Sequence, residues 1–327
     1  MRARAVVFWV ASAVLLVPAA LLTLARTVEP PAAWWIQLEA FTPFGTVLYA
    51  GALLVAAGRL LVRRRWRTPA SAALGLVSVA AVAGLVLHCW WLAPLVTGVN
   101  PPPAPGAERL TVMTANIAQG DGDPFELVRL ASEAGVRLLV VEEITPADLA
   151  DMERAGLSDL LPYRTGEPRS GGHGTMVFAA TELGRAERTA TWHDGWVVSM
   201  GDLVVVATHP QAPTEPELWR SDHAALLDTV RQHDPDLVLG DFNATDDHAP
   251  MRALADAGLR DAAELADEGW QPTWPAGGRW RVLGLVVPPL TRIDHVLVGP
   301  RLAAVSVHTA VLPGSDHRAV IAVVARR

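Results

Sequence analysis

The segment Asp236-Leu237-Val238-Leu239-Gly240-Asp241-Phe242-Asn243 joins an apolar run to polar residues that can carry chemistry. A short apolar run bounded by polar residues is typical of a strand that is buried on both faces. Two polar side chains, Asp241 and Asn243, follow this run where the strand reaches the edge of its sheet. Short apolar runs that end in polar residues recur along residues 108–327. The pattern therefore predicts several buried strands whose ends carry chemically active side chains.

Apolar runs rich in β-branched residues alternate with helical patterns in this part of the chain. The predicted strands are Leu110–Asn116, Arg137–Glu142, Thr175–Ala179, Trp196–Met200, Leu203–Thr208, Asp236–Leu239, Ile293–Val298, Val305–Val311 and Ala319–Val324. The predicted helices are Pro124–Ala134, Glu217–Gln232 and Ala249–Ala257. Many strands with interspersed helices predict two packed sheets covered by helices.

Charge divides the chain into two unlike parts. Residues 1–107 carry eight arginines and two glutamates, and the whole chain has a net charge of −7, so the remainder carries −13. This acidity weighs against avid nonspecific nucleic-acid binding, which needs clustered cations, but it is compatible with a metal site. The only cysteine is Cys89, which excludes disulfides, a thiolate nucleophile and a cysteine zinc site from residues 108–327.

Three long apolar runs precede residue 101, namely Ala5–Ala25, Pro43–Val62 and Ala70–Val96. About 20 residues at ~1.5 Å each cross the ~30 Å hydrocarbon core of a bilayer, so each run predicts a transmembrane helix. A cleaved signal peptide would account for the first run only. The alternative is that the three runs form buried core helices.

The placement of arginines predicts how these helices are oriented. Arg2 and Arg4 precede the first run, and the cluster Arg63–Arg67 separates the second run from the third. The positive-inside rule places both segments in the cytoplasm, and three crossings then leave the C-terminal domain outside. We expect a multi-pass protein of the cell membrane with an extracytoplasmic domain.

A proline-rich segment, Asn100–Gly106, follows the third run and predicts a stiff, extended spacer. We expect residues 1–99 to form a membrane anchor with three transmembrane helices, at about 5–25, 43–62 and 70–96. Residues 100–107 are then the linker, and residues 108–327 are the catalytic domain.

The polar residues at the strand ends fit one kind of chemistry. Carboxylates such as Glu143 and Asp316 are hard oxygen ligands that suit Mg²⁺ or Mn²⁺. Such a cation polarises a phosphoryl oxygen and stabilises the leaving oxygen. A histidine beside an aspartate holds one tautomer and stabilises developing negative charge, and an aspartate within reach of a water acts as a base. These residue types predict metal-dependent hydrolysis of a phosphoester.

Six short motifs occur in one order along residues 108–327. They are Thr114-Ala115-Asn116, Val141-Glu142-Glu143, Ala207-Thr208-His209, Gly240-Asp241-Phe242-Asn243, Arg292-Ile293-Asp294-His295 and Ser315-Asp316-His317. In order and residue type they resemble the endonuclease/exonuclease/phosphatase superfamily. The resemblance implies an α/β fold, a four-layer α/β sandwich in which two packed mixed β-sheets are flanked by helices. It also implies phosphoester hydrolysis with Mg²⁺, or with Mn²⁺ as the alternative cation.

The resemblance implies a metal site around Glu143, with Asn116 near it and Asp316 supporting the metal or the histidine side of the site. The family has glutamine before this glutamate, whereas this chain has Glu142. Strand alternation would put Glu142 and Glu143 on opposite faces. We assign the ligand to Glu143 and keep Glu142 as the alternative.

The same resemblance implies the catalytic residues. Asp241 would position or deprotonate the attacking water, and Asn243 would orient the phosphate. His317 would contact the phosphate and be oriented by Asp294, while His209 would be a phosphate contact or a proton donor. Either Asp241 or His317 would serve as the base.

Three further features lie outside these motifs. His173, in a glycine-rich loop, and Trp274 are candidate substrate contacts, with packing as the alternative role for Trp274. The apolar run Leu283–Leu290, which Trp280 precedes, predicts a buried strand or loop. The alternative is a loop that touches lipid or a lipidic substrate, because exposed apolar patches often mark interaction sites.

The sequence thus predicts a membrane-tethered phosphoester hydrolase. Its partners would be the lipid bilayer and a phosphoester substrate, either a nucleic acid, a phospholipid headgroup or a small phosphoester. One type of site serves phosphodiesterases, nucleases and phosphatases, so the motifs do not choose among them. The alternative is a catalytically silent, membrane-anchored binding module of the same fold. No sequence feature points to a protein partner.

Overall fold

The computed structural model describes residues 2–65, 72–97 and 101–327. Contacts divide the chain into two compact units, Met1–Pro94 and Leu95–Arg327. Residues 66–71, which include part of the predicted arginine cluster, lie outside the described residues, as does residue 100, where the predicted linker begins.

The first unit is helical. Its helices are α1 (Arg2–Val28), α2 (Ala33–Glu39), α3 (Phe44–Arg65) and α4 (Ala72–Leu92), and the short helix α5 (Pro94–Thr97) follows at the unit boundary. Three of the described helical segments are long and apolar enough to cross a membrane, namely Ala5–Val28, Phe44–Val62 and Ala72–Leu92. They coincide with the three predicted runs to within a few residues at each end.

A polar network joins the three long helices of this unit. Thr23 Oγ1 lies 2.8 Å from Tyr49 Oη and 2.9 Å from His88 Nε2, and His88 Nδ1 lies 2.9 Å from the carbonyl oxygen of Thr42. A Cβ on Gly84 would lie 2.3 Å from the Tyr49 ring, so glycine is required for this close approach. Small residues and hydrogen bonds of this kind hold apolar helices together where the hydrophobic effect is weak.

The second unit contains the strands of the described chain. In chain order they are β1 (Arg109–Asn116), β2 (Leu138–Glu142), β3 (Tyr163–Glu167), β4 (Thr175–Ala179), β5 (Glu187–Arg188), β6 (Trp196–Met200), β7 (Leu203–Thr208), β8 (Leu237–Asp241), β9 (Arg260–Asp261), β10 (Arg281–Val282), β11 (Leu285–Val286), β12 (Asp294–Val298), β13 (Leu302–Val311) and β14 (Arg318–Arg326). The helices are α6 (Pro124–Glu133), α7 (Pro146–Arg154), α8 (Leu157–Leu160), α9 (Pro216–His233), α10 (Ala249–Asp256) and α11 (Ala262–Leu265).

Two six-stranded sheets form the centre of this unit, in the orders β13-β14-β1-β2-β4-β3 and β5-β6-β7-β8-β12-β9. Each sheet is mixed, because β1 pairs with β2 and β7 pairs with β8 in parallel, whereas the other pairs are antiparallel. One core cluster lies between the sheets, where Val112 and Val140 face Val205 and Leu239. Burial on both faces is the reason these strands read as continuous apolar runs.

A second core cluster covers the outer face of the first sheet. Met113 and Leu139 pack there against Leu127 from α6 and Met152 from α7. Helix α9 packs on the other sheet beside β7 and also contacts α10. The arrangement is the predicted four-layer α/β sandwich.

Several elements differ from the sequence prediction. Strand β3 and helix α7 were not predicted, and β13 begins at Leu302 rather than Val305, with a bulge between Ala304 and Ser306. The prediction of a buried strand or loop at Leu283–Leu290 is wrong. Strands β10 and β11 form a two-stranded hairpin whose tip residue, Leu283, is 98% exposed.

Candidate active site

Six polar side chains lie at the same edge of the sandwich, three from each sheet. Strands β1, β2 and β14 of the first sheet and β7, β8 and β12 of the second carry them at or next to their ends. They are Asn116, Glu143 and His317 from the first sheet and His209, Asp241 and Asp294 from the second. The two sheets therefore contribute equally to one cleft, which is where distant residues of the chain can meet.

Asn116 joins two of the carboxylates. Its Nδ2 donates to Glu143 Oε1 at 3.1 Å and to Asp241 Oδ2 at 3.0 Å, while its Oδ1 accepts from the backbone N–H of Ala118 at 2.8 Å. Asn116 and Asp241 are buried, whereas the Glu143 side chain is 19% exposed. Glu143 is therefore the member of this group that faces the mouth of the cleft.

Asp294 and His317 form a buried pair. His317 Nδ1 lies 2.9 Å from Asp294 Oδ2 and 3.1 Å from Oδ1, which fixes the ring so that Nε2 faces Asp241 Oδ2 at 3.7 Å. Ser315 holds the same loop, because its Oγ donates to the Asn116 carbonyl oxygen and accepts from the His317 N–H. The imidazole is thus oriented from two sides and presents one nitrogen to the cleft.

The electrostatics of the cleft follow from burial and proximity. Burial and the neighbouring Asp294 raise the pKa of Asp241 to about 7, although His317 beside it acts in the opposite direction. Burial by itself lowers the pKa of His317, but the carboxylates of Asp294 and Asp241 outweigh it and raise this pKa to about 10. At neutral pH the site therefore holds an imidazolium next to an aspartate that is ready to exchange a proton.

Glu142 is also part of this carboxylate group. It is fully buried, its Oε1 accepts from Thr114 Oγ1 at 2.6 Å, and its Oε2 has no hydrogen-bond partner among the described residues. Burial raises the pKa of Glu142 well above its ordinary value, and the charges of Asp294 and Asp241 add to the rise. Burial therefore favours the protonated form of Glu142, which lies beneath the cleft.

The expectation that Glu142 and Glu143 lie on opposite faces is wrong. Glu143 follows the end of β2 with a φ of 58°, so strand alternation stops at Glu142. Both side chains consequently approach Asp241, one from beneath and one from the mouth of the cleft.

His209 lies in a group of three histidine rings. Its Nε2 is 3.8 Å from Glu143 Oε1 and 3.7 Å from Asp241 Oδ2. The His193 ring centroid lies 4.4 Å from that of His209 and 5.1 Å from that of His173. Burial, with the charges of the neighbouring histidines, lowers the pKa of both His209 and His193 to about 3. This wall of the cleft is therefore neutral.

Asn243 and Gly240 shape the loop after β8. Asn243 has a φ of 48°, its N–H donates to Asp241 Oδ1 at 2.8 Å, and its Nδ2 donates to the Pro210 carbonyl oxygen at 3.1 Å. A Cβ on Gly240 would lie 1.9 Å from the Thr208 carbonyl oxygen and 3.3 Å from Glu142 Oε1. Only glycine fits here, and its absence of a side chain lets β8 approach both β7 and Glu142.

The remaining predicted residues lie at the rim. Trp274 packs edge-to-face on Trp280 with the ring centroids 5.0 Å apart, and its backbone bridges to Thr291. Asp316 is half-buried, and its carbonyl oxygen accepts from the Ala276 N–H at 2.7 Å. No hydrogen bond within the described residues links the Asp316 carboxylate to Glu143 or Asn116.

Two groups of three metal-capable side chains occur among the described residues. One is Asp241, Asp294 and His317, and the other is Asp246, Asp261 and His295. In the first, the carboxylates outnumber the cations, since Glu143 adds to Asp241 and Asp294 around a single imidazolium. This excess of carboxylate oxygen fits a divalent cation, which favours such ligands.

The second group already contains its cation. Arg292 donates through Nη1 to Asp261 Oδ1 at 3.1 Å and through Nη2 to Asp246 Oδ2. His295 donates from both ring nitrogens, to Asp261 Oδ2 at 2.7 Å and to the Ala244 carbonyl oxygen at 2.9 Å. The arrangement is a closed ion-pair network rather than a ligand site.

Three contributors were missed by sequence reasoning. His193 lies in a turn with no recognisable motif, and only the structure brings it to His209. Ser315 belongs to the Ser315-Asp316-His317 motif, but sequence reasoning assigned no role to its side chain. The third is Thr273, whose Oγ1 accepts from the N–H groups of Ile293 at 3.2 Å and Asp294 at 3.3 Å. Its position directly before Trp274, a predicted substrate contact, was the one signal in the sequence.

A sequence profile of the Endonuclease/Exonuclease/phosphatase family matches residues 86–317. The match covers more than half of the chain, and the chain therefore belongs to this family. Members of the family are divalent-metal-dependent hydrolases of phosphoester bonds, including nucleases and phosphatases. No curated protein sequence matches the chain significantly.

Solved structures of the same fold align with about two-thirds of the chain. A family protein from Bacteroides thetaiotaomicron has 14% identity and a TM-score of 0.51 over 68% of this chain and 100% of that one. TDP2 from D. rerio, complexed with single-strand DNA product, has 14% identity and a TM-score of 0.54 over 66% and 99% of the two chains. The 3′ phosphatase NExo from Neisseria, bound to a product DNA hairpin, has 17% identity and a TM-score of 0.53 over 65% and 98%. At these identities the likeness establishes the fold.

Proposed function

We propose that the chain is a membrane-tethered, Mg²⁺-dependent phosphoester hydrolase that uses water as the nucleophile. The observation that carries this proposal is the meeting of Asn116, Glu143 and Asp241 with the Asp294–His317 pair in one cleft. A general base, an oriented imidazolium and an excess of carboxylate oxygen are the groups that this reaction needs.

Glu143 and Asn116 would hold the divalent cation, with Asp316 supporting this side of the site. The fit rests on the surplus of carboxylates over cations, and on the Glu143 side chain being 19% exposed, whereas those of Asp241 and Asp294 are 2% and 0% exposed. When bound, Mg²⁺ would neutralise negative charge on the phosphate and on the leaving oxygen. Mn²⁺ has similar ligand preferences and is the alternative.

The electrostatics support Asp241 as the base. Its pKa is raised to about 7, mainly by burial, so its carboxylate can accept a proton from water near neutral pH. His317 keeps its proton because its pKa is raised to about 10, the effect of Asp294 and Asp241 exceeding that of burial. In the proposal, His317 Nε2–H therefore contacts the phosphate, and Asp294 orients the ring.

Four further residues complete the proposed site. Asn243 Nδ2 orients the phosphate, and neutral His209 accepts a hydrogen bond from the substrate or donates one to it. His173, next to the His209 wall, and Trp274, at the rim, are the proposed substrate contacts.

The experiment uses the purified full chain in detergent with a generic phosphodiester, a phosphomonoester, single-stranded and duplex DNA, RNA, sphingomyelin and phosphoinositides. Each substrate is tested with Mg²⁺, with Mn²⁺ and with EDTA. The proposal expects metal-dependent turnover of at least one phosphoester and its loss in EDTA. A folded chain that binds a phosphoester but turns over none of them with either metal would contradict the proposal and favour the silent binding module.

A matched pair of variants tests the metal assignment. Glu143→Gln should raise the Mg²⁺ concentration required for half-maximal turnover by at least tenfold, because it removes a charged ligand. Glu142→Gln keeps the shape of a buried side chain whose protonated form is favoured, and should leave that requirement nearly unchanged. The reverse result would transfer the ligand role to Glu142.

We also propose the domain order and topology expected from the sequence, with an anchor at 1–99, a linker at 100–107 and a catalytic domain at 108–327 outside the cytoplasm. The support is three apolar helices long enough to span a bilayer, together with the excess of arginine in the flanking segments. Protease added to intact cells should remove the catalytic domain, with a cytoplasmic protein as the control. Complete protection until the cells are lysed would refute the orientation.

A further inference from the structure

The β10–β11 hairpin is the most apolar exposed feature of the second unit. Leu283 at its tip is 98% exposed, and Leu285, Val282, Trp280 and Val286 are 75%, 61%, 51% and 48% exposed. Both faces of this two-stranded ribbon are open, so it lacks the single apolar face that would pack on a neighbouring sheet. An isolated hairpin with this much exposed apolar surface marks an interaction site.

The charge around the hairpin is unlike that of the rest of the unit. Residues 269–293 contain no acidic residue and carry three arginines, whereas residues 108–327 have a net charge of −13. Arg281 is exposed and lies within the hairpin, whereas Arg279, immediately before Trp280, pairs with Asp121, and Arg292 is buried in the network with Asp246 and Asp261. A ribbon that combines tryptophan, branched aliphatic residues and arginine without acids is suited to the headgroup region of an anionic bilayer.

Ring packing and backbone hydrogen bonds connect the hairpin to the rim of the cleft. The Trp280 ring packs on Trp274, and the Ala276 N–H between them donates to the Asp316 carbonyl oxygen at 2.7 Å. The Arg318 N–H donates to the Thr273 carbonyl oxygen at 3.0 Å. The segment that leads into the hairpin therefore lies against the loop that carries His317.

We propose that the hairpin Trp280–Val287 is a lipid-contact element that inserts its tip into the surface of an anionic bilayer, with Arg281 at the level of the headgroups. The inference rests on the proposed membrane tether, because only residues 93–108 lie between the last membrane-length helix, Ala72–Leu92, and β1, and a chain of this length spans at most ~58 Å. The hairpin would hold the rim of the cleft at the membrane, where the phosphoesters of lipid headgroups are located.

The test places a fluorophore on the full chain. Cys89, the only cysteine, is replaced by serine, and an environment-sensitive dye is attached through Leu283→Cys. A matched control carries the dye at Ser158→Cys, an exposed position on α8. Because both positions are exposed, neither label disturbs the core; Cys89→Ala provides a second background if the serine variant does not fold.

Both proteins are reconstituted into vesicles of phosphatidylcholine with or without phosphatidylglycerol, and with nitroxide quenchers on the acyl chains. We expect blue-shifted emission and at least threefold stronger quenching at position 283 than at 158, with a larger effect in the anionic vesicles. Equal, water-like emission and weak quenching at both positions would overturn the proposal. A blue shift that the lipid quenchers do not affect, and that grows with protein density, would overturn it in favour of contact with a second copy.

An activity measurement separates this inference from the proposed function. Leu283→Ser and Leu285→Ser should reduce turnover of vesicle-borne phosphoester at least fivefold while leaving a soluble ester unchanged. An equal reduction for both substrates would contradict the lipid-contact role. If no phosphoester is turned over at all, the proposed activity fails, but the quenching at position 283 still decides the lipid contact.

Discussion

Asp294 and His295 are neighbours on β12, and each belongs to a buried histidine–aspartate pair on its own face of the strand. Asp294 pairs with His317 on the cleft side, and His295 pairs with Asp261 on the other side. The two pairs have nearly the same nitrogen–oxygen distance, 2.9 Å and 2.7 Å. Distance and burial alone therefore do not distinguish a reactive pair from a structural one.

The difference lies in what surrounds each pair. On the structural side, Arg292 neutralises Asp261 and Asp246, and both nitrogens of His295 donate to protein acceptors. On the cleft side, no arginine makes a hydrogen bond or salt bridge to the carboxylates among the described residues, and His317 Nε2 faces Asp241 at 3.7 Å, beyond hydrogen-bond length. The Asp294–His317 pair, which we propose to be reactive, therefore differs from the structural pair in its unmet charge and its uncommitted nitrogen.

The largest expected effect is on turnover. His317→Gln should lower kcat by about 10²–10⁴-fold, because it removes the imidazolium that contacts the phosphate. The matched change on the other face, His295→Gln, should lower kcat per folded molecule by less than ~10-fold, equivalent to ~1.4 kcal/mol. Steady-state kinetics on detergent-purified protein measure both changes in kcat. Equal losses would show that the two histidine–aspartate pairs do not differ in their contribution to turnover.

The next effect concerns stability on the structural face. Arg292→Met should lower the free energy of unfolding by about 3–5 kcal/mol, since it leaves Asp261 and Asp246 without their cation. Thermal unfolding of the full chain in detergent measures the change. A variant as stable as the parent would show that the network is not needed to hold β12. Only the kinetic measurements would then distinguish the two histidine–aspartate pairs.

Removing a carboxylate should have opposite effects on the two faces. In EDTA, Asp241→Asn should raise the unfolding free energy by at least ~1 kcal/mol, because its raised pKa reports a carboxylate that is unfavourable in the fold. Asp261→Asn should lower it, since burial raises but Arg292 and His295 together lower the pKa of Asp261 to about 2. The same sign for both changes would contradict the charge analysis.

The stability contribution of Asp241 has a defined pH window. Its folded pKa, about 7, lies above that of an unfolded aspartate, so this contribution is present in acid and is lost as pH rises through 7. Asp241→Asn should therefore flatten the fall in melting temperature between about pH 4 and 7 in EDTA. The contribution of Asp261 runs the other way, being present above pH ~4 and lost as pH falls through about 2.

The smallest effect is a shift in a pH profile. Because His317 has a raised pKa of about 10, activity should decline only in strong alkali, as the imidazolium loses its proton. Asp294→Asn removes the larger of the two carboxylate effects that oppose burial, so this alkaline limb should move down by at least ~1 unit, or ~1.4 kcal/mol. The pH dependence of kcat/KM for the parent and the variant checks the shift. If the alkaline decline stays at the same pH, the group that titrates there is not His317.

The central strands were predictable because a strand that is buried on both faces appears in the sequence as an uninterrupted apolar run. Thr175–Ala179, Trp196–Met200 and Leu203–Thr208 were predicted with the bounds that the structure has. Strand β3 (Tyr163–Glu167) was not, because it lies at the sheet edge and its residues are polar and partly exposed. Helix α7 did carry a readable signal, the capping box formed by Thr145 and Asp148.

The candidate site was less predictable than the fold. The motif residues Asn116, Glu143, Asp241 and His317 do come together, but their roles stay predictions. The nearness of Glu143 to the cleft depends on its leaving the strand with a positive φ, which no residue pattern announces. The His193 contact depends on the path of a turn between two strands, and long-range packing of this kind is not encoded in local spacing.

One feature of the topology bears on how the chain is made. His317 directly precedes β14, and β14 pairs with β1 along the middle of the first sheet, about two hundred residues away in sequence. During synthesis, every other member of the cleft is on the growing chain before His317 is added, and its loop has no sheet to rest on until Arg318–Arg326 follow. A cleft assembled in this order cannot form on a nascent chain that stops short of β14. The proposed site is therefore completed only when both sheets of the sandwich are in place.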